Sequence, residues 1–211
     1  MYERQNRLSY NTYWGNLLMA TQRNFESYIS PEDYLILDNA SKTKYEYLDG
    51  QIYAMSGGTP KHSKIIYNLT GLMFRDIGNK QCGGFNSDIR VQVSKNEYLY
   101  PDFTVVCGEA RFDEDSPNNL LNPTMVAEVV SDSSEVRDHF IKLNIYQKIE
   151  SLKIYCIIEQ NKPKITLHTR QDNGWLKREF EGLDVIVPLD AINAQLVLSE
   201  LYETIAFDDV S

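Results

Sequence analysis

The chain has 211 residues and a formal net charge of -9, with 42% apolar residues, 14 Tyr, 8 Phe and 2 Trp. That suits one domain with a sizeable core and is too much core material for a disordered chain; no apolar run approaches the roughly 20 residues that span a bilayer. The acidic balance argues against a broad basic face gripping duplex DNA, because phosphate contacts come from Lys and Arg, and it favours local, metal-assisted or partner-assisted contact.

Residues 1–24 mix polar and aromatic side chains without a period and are read as a peripheral, poorly ordered segment ahead of a domain over residues 25–206. The apolar patch at residues 15–20 is too short and broken for a signal peptide, so a cytoplasmic location is expected. Ser30-Pro31-Glu32-Asp33 opens a short helix through Leu37, with Ser30 as cap, Pro31 at the first position and Asp33 completing a capping box. Two strand-like pieces follow between Lys44 and Met55 about the turn Asp49-Gly50, with Glu46 alternating with Tyr45 and Tyr47. Gly57-Gly58-Thr59-Pro60 closes that unit and is read as a turn, too short for a phosphate loop.

His62, Ile65, Ile66, Leu69, Leu72, Met73 and Ile77 recur at helical spacing, which predicts an amphipathic helix over residues 61–77 stopped by Gly78-Asn79. Ile89, Val91 and Val93 alternate with Arg90 and Gln92 as a half-buried strand, and Lys95-Asn96-Glu97 turns into a strand holding Asp102. A loop over residues 113–123 precedes the strand Met125-Val126-Ala127-Glu128-Val129-Val130. Asp132-Ser133-Ser134-Glu135 caps a helix to about Glu150, and Ile154-Tyr155-Cys156-Ile157-Ile158 is a further buried strand, a crossover that implies parallel neighbours. A hairpin about Asp172-Asn173-Gly174 and a terminal helix from Leu196 to Tyr202 complete the chain. Cys82, Cys107 and Cys156, odd in number and widely spaced, are read as reduced, packing thiols rather than a disulfide framework.

Asp102 and Glu128 each lie in a strongly apolar strand-like run. Burying an ionised carboxylate costs several kcal/mol or more unless something pairs with it, so the two together call for a cation. On the helix after Glu128, Lys142 shares a stripe with Ile145, Tyr146 and Ile149, which places a lysine on an apolar face; a second arc of Val136, Phe140 and Leu143 leaves the orientation open. By default Glu46 is a solvated strand residue, His62 a capping histidine and Asp88 a structural carboxylate.

Glu46-Tyr47-Leu48-Asp49-Gly50, Gly57-Gly58-Thr59 with His62, Ser87-Asp88-Ile89-Arg90-Val91, Tyr100-Pro101-Asp102 and Ala127-Glu128-Val129-Val130-Ser131 with Lys142 and Tyr146 resemble the Uma2 family, abundant in cyanobacteria and part of the PD-(D/E)XK nuclease superfamily. The likeness runs in order from about Tyr28 to Tyr202. It implies an α/β, restriction-endonuclease-like fold: a central mixed β-sheet flanked by helices, with the catalytic groups on adjacent central strands. The superfamily pattern is an Asp after Pro, then Glu-x-Lys on the next strand. Pro101-Asp102 and Glu128 match, whereas Val130 stands in the lysine's place, so the resemblance assigns that charge to Lys142 on the following helix.

From the resemblance come a Mg²⁺ (or Mn²⁺) site at Asp102, Glu128, Glu46 and the Val129 carbonyl, Asp102, Glu128, Lys142 and Glu46 as catalytic groups, and His62 and Tyr146 as substrate neighbours. The expected function is a Mg²⁺-dependent endonuclease hydrolysing DNA phosphodiesters, with DNA as partner and a homodimer as its assembly. The alternative is a catalytically weak or inactive nuclease-fold module that binds nucleic acid or a protein, and metal binding separates the two. A glycoside hydrolase using the two carboxylates gives Lys142 no role.

Overall fold

The computed structural model describes residues 28–55, 57–78, 81–131 and 137–207. Helix α1 (Pro31–Ala40) begins as the sequence requires: Ser30 Oγ accepts from the Asp33 N–H at 3.1 Å and donates to its carboxylate at 2.9 Å. It runs one turn past the expected end, to Ala40. Strands β1 (Tyr45–Leu48) and β2 (Gln51–Ala54) form a hairpin about Asp49 and Gly50, whose φ values of 45° and 92° explain the glycine. Helix α2 (Pro60–Ile77) is capped by Thr59 and buries Ile65, Leu69, Met73 and Ile77 at steady fourfold spacing.

Strands β3 (Cys82–Asn86), β4 (Arg90–Ser94) and β5 (Glu97–Leu99) lead to Tyr100-Pro101-Asp102, which lies outside any strand, and then to β6 (Phe103–Cys107). The sequence suggests one strand through Asp102; the structure breaks it there, because proline has no N–H to give a ladder. The break moves the chain from one sheet to another. β5 belongs to a five-stranded sheet of order β2-β1-β5-β4-β7, where β7 is Asn119–Leu120. β6 belongs to a six-stranded sheet ordered β11-β10-β9-β8-β6-β3, built from β8 (Met125–Val130), β9 (Ile154–Glu159), β10 (Lys164–Gln171) and β11 (Gly174–Glu181). β8 and β9 are parallel and the other pairs antiparallel, so this is the expected mixed central sheet. The second sheet and the late hairpin of β12 (Ile186–Leu189) and β13 (Ala194–Val197) are additions; β13 and the short α4 (Leu198–Leu201) replace a single terminal helix.

Each face of the central sheet is covered. Met125, Ala127 and Val129 pack with α2, β12, β13 and α4, and the alternate residues Val126 and Val130 pack with Val91, Leu99, Tyr146, Ile149 and Leu152. Glu128 has the parity of the second face.

The segment after β8 departs from regular α geometry. Arg137–Lys142 is π-helical and only α3 (Leu143–Tyr146) is α-helical, ending short of Glu150; the expected cap at residues 132–135, like Val136, lies outside the described residues. The question of its facing is answered: Lys142, Ile145, Tyr146 and Ile149 are buried while Phe140 is exposed.

Two sequence expectations are corrected. Cys82 and Cys107 form a disulfide; they are 25 residues apart, but β3 pairs with β6 in a register that sets them directly opposite. Cys156 is a buried free thiol, pushed up to about 12 by burial. Arg90, read as the polar side of a half-buried strand, is 1% exposed: its guanidinium pairs with Asp38 and donates to Asn119 and Asn39 in a nest of Tyr34, Tyr98 and Tyr100 rings. Among the described residues no helix is long and apolar enough to cross a membrane.

Candidate active site

The Pro101 corner places Asp102 one residue before Phe103, whose partner across the β6–β8 ladder is Ala127. Continuing that register by one residue sets Asp102 beside Glu128 on neighbouring strands. Asp102 is held by the backbone: its Oδ2 accepts from the Val129 N–H at 2.7 Å and lies 3.1 Å from His62 Nε2. Among the described residues its Oδ1 receives no protein hydrogen bond.

Glu128 projects from the other end of the same neighbourhood. Its Oε1 accepts from Lys142 Nζ at 2.9 Å and from the Tyr146 hydroxyl at 2.9 Å. Lys142 Nζ also lies 3.0 Å from Oε1 of Glu46, which reaches in from β1 of the smaller sheet and takes the Tyr100 N–H at 3.4 Å. The lysine side chain is only 7% exposed. It does not snorkel outward; the π-helical turn delivers it between two carboxylates that would otherwise face one another uncompensated. Burial, with Glu128 and then Glu46 beside it, holds the Tyr146 hydroxyl well above its ordinary pKa, so it stays a donor.

The cluster thus has two contact groups, Asp102 with His62 and the Val129 N–H, and Glu128 with Lys142, Glu46 and Tyr146, joined through the consecutive residues Glu128 and Val129 of β8. The parts differ from expectation in two respects. Tyr146 was expected beside substrate but is 0% exposed, so it lies behind Glu128. No group of three His, Cys, Asp or Glu side chains able to hold a metal is assembled among the described residues. Glu46 is drawn to Lys142 and the Tyr100 N–H instead.

The donor chemistry still fits a hard divalent cation. Mg²⁺ needs only one or two carboxylates and keeps water in its remaining positions. Asp102 has one oxygen anchored and the other without a protein donor among the described residues, and Glu128 follows on the next strand.

Sequence reasoning gave Thr59 no role beyond its place in the Gly57-Gly58-Thr59 motif and passed over Gln160. Thr59 Oγ1 accepts the His62 N–H at 3.1 Å and donates to Gln160 Oε1 at 2.6 Å, fixing the start of α2 to the end of β9 and so setting His62 against Asp102. The Thr59-Pro60 pair is itself a helix-start signal; its position after two glycines made it look like the end of the preceding hairpin. Asp88 is an exposed partner of Lys44 and Asp113 caps its own loop.

Comparison with known proteins points the same way. The family model Uma2, described as "Putative restriction endonuclease", matches residues 31–200. Protein slr1290 of Synechocystis sp. is 33% identical over 181 residues, covering 85% of this chain and 94% of the relative. A second Synechocystis sp. protein, sll1609, is 30% identical over 156 residues, 73% of this chain and 88% of its own length. A crystal structure from Anabaena variabilis, described as "a putative nuclease belonging to DUF820", superposes with a TM-score of 0.68 at 18% identity, covering 82% of this chain and 97% of that one. At that identity the superposition shows a shared nuclease-like fold. With the family match spanning both sheets and every member of the cluster, the chain belongs to the Uma2 family.

Proposed function

We propose that this protein is a divalent-metal-dependent endonuclease that hydrolyses phosphodiester bonds in DNA, with Mg²⁺ (or Mn²⁺) held by Asp102, Glu128 and the Val129 carbonyl. The observation that carries the reading is the seat of Lys142, whose ammonium lies 2.9 Å from Glu128 and 3.0 Å from Glu46 although it comes from a helix rather than the strand position occupied by Val130. A bound cation would polarise the scissile phosphate and acidify a water.

The chain's own residues supply the rest. Lys142 orients the attacking water and offsets charge developing on the phosphate oxygens. Glu46 holds Lys142 in place, and the Tyr146 hydroxyl fixes the Glu128 carboxylate from behind. His62, on the exposed side of Asp102, orients that carboxylate and faces incoming phosphate. The homodimer implied by the family resemblance belongs to the same proposal and is checked by the solution mass.

The test is nicking of supercoiled plasmid. Wild type should convert it with Mg²⁺ or Mn²⁺ and stop with chelator, and Asp102→Ala should be inert while melting as a folded protein. Metal-dependent nicking retained by Asp102→Ala would overturn the assignment; no nicking by wild type under any metal would favour the inactive binding module.

A further inference from the structure

Helix α2 buries Ile65, Leu69 and Met73 on one side and shows a second, apolar stripe on the other. Tyr67 and Phe74, 72% and 77% exposed, are the most exposed large apolar side chains among the described residues. Between them stand Thr70 and Gly71, both exposed, with open space where a Cβ on Gly71 would lie. A groove of about 690 Å³ runs beside the stripe, between α2 and α4, and Tyr67, Gly71, Phe74, Arg75 and Glu200 line it. Single exposed rings are ordinary, but two on one helix face beside a groove mark a surface that meets a partner.

The stripe reads the same in both directions from Tyr67 to Phe74: an aromatic ring, two residues, the small pair Thr70-Gly71, two residues, an aromatic ring. A two-fold axis between Thr70 and Gly71 therefore matches Tyr67 of one copy with Phe74 of a second, twice over, and puts the small residues where two antiparallel helices come closest. Self-complementarity of this kind is what an isologous contact needs and what a contact with an unrelated protein does not. Charge follows the same symmetry. At about 100° per residue, Lys64 and Arg75 stand on the same flank of the stripe. Lys64 Nζ lies 5.1 Å from the centre of the Tyr67 ring, and Arg75 Nη1 holds a Glu200 carboxylate oxygen at 2.8 Å next to Phe74. The axis that joins Tyr67 to the second copy's Phe74 thus sets Lys64 against the second copy's Glu200, whose side chain is 44% exposed, cation to anion.

We infer that this face of α2, with the groove beside α4, is the interface between two copies of this chain, packed antiparallel about Thr70 and Gly71 with each Phe74 ring in the other copy's groove. The inference gives the homodimer of the proposed reading a face and an orientation, and rests on that reading only for the number of copies. Each α2 begins at an active site, where His62 meets Asp102, so the pairing sets the two sites about 25 Å apart along the helix axes.

The experiment is sedimentation velocity of the full chain over a concentration series. Wild type should run as two chains. Phe74→Glu and Tyr67→Glu each replace an exposed ring, so the circular dichroism spectrum should be unchanged while the dissociation constant rises about thirtyfold or more, the loss of a central aromatic anchor. Lys64→Glu and Glu200→Lys should each weaken the pair about threefold, the worth of an exposed ion pair, and the double substitution should recover it. Thr70→Cys should give disulfide-linked pairs under mild oxidation, and wild type should not.

A single-chain mass for wild type at every concentration would overturn both this face and the homodimer. A two-chain mass kept by both Phe74→Glu and Tyr67→Glu would leave the homodimer and overturn this face, as would Thr70→Cys that fails to cross-link. Plasmid nicking, read separately, tests the phosphodiesterase reading.

Discussion

Replacing Lys142 by methionine keeps the length of the side chain and removes its ammonium from between Glu46 and Glu128, 3.0 and 2.9 Å away. Methionine packs against the same neighbours, so the dominant change is two buried carboxylates left facing each other without their cation. Removing one partner of a buried ion pair costs about 3–5 kcal/mol, a large fraction of the roughly 5–15 kcal/mol that holds a domain folded. For a chain of this size each kcal/mol moves the melting temperature by about 2–4 °C, so a fall of about 6–20 °C is expected by calorimetry at neutral pH. Adding Glu46→Gln should restore at least about 1 kcal/mol, because the two sites share a partner and their effects are not additive. A loss below about 1 kcal/mol in Lys142→Met, or strict additivity with Glu46→Gln, would refute the buried arrangement.

Other consequences are as direct. Tyr146→Phe removes a donor to Glu128 without changing shape; stability should fall by about 1–3 kcal/mol, and nicking should show a lower kcat with unchanged KM, whereas a KM effect alone would return Tyr146 to the substrate face. Burial holds the hydroxyls of Tyr34, Tyr47, Tyr100, Tyr146 and Tyr202 above their ordinary range. The folded chain therefore keeps protons that the unfolded one releases above about pH 10, and stability present below that pH is lost as pH rises, by about 1.4 kcal/mol per pH unit for each tyrosine. Ionisation of these five, the late part of the tyrosinate absorbance rise, should coincide with loss of the circular dichroism signal; ionisation of every tyrosine near pH 10 in an intact fold would contradict this. Closing a loop of 25 residues, the Cys82–Cys107 bond should contribute about 3 kcal/mol, read by urea unfolding of the double alanine variant. Alkylation of the unfolded, unreduced chain should label Cys156 alone, and labelling of all three cysteines would exclude the bond.

Local signals in the sequence carried much of this architecture. The Ser30 capping box, the Asp49-Gly50 turn and the apolar spacing of α2 are each decided within a few residues and found where expected, and β8 and β9 are parallel as the crossover implied. The features that escaped depend on contacts between distant segments. Cys82 and Cys107 meet only because β3, a glycine-rich strand with a weak pattern, pairs with β6. Arg90 alternates like a surface residue and is buried because Asp38 arrives from α1 to neutralise it. Gln160 has no motif at all; its side chain meets Thr59 at the capped end of α2, a segment distant in sequence.

The carboxylates, Lys142, His62 and Tyr146 became candidates through charge in apolar runs together with the family resemblance, and geometry then separated their roles. Helical spacing put Lys142 on a buried stripe, but its reach to both carboxylates depends on the π-helical turn, which periodicity at 3.6 residues does not describe. Glu46 lies on a different sheet from Glu128, and only the packing of the two sheets turns it toward the lysine.

The central claim is that Asp102 and Glu128 hold one divalent ion beside Lys142. Calorimetric titration with Mn²⁺ tests it most directly, on wild type, Asp102→Ala and Glu128→Ala matched for folding. One ion bound by wild type and none by either variant is the result this account predicts; binding by both variants with wild-type affinity would contradict it.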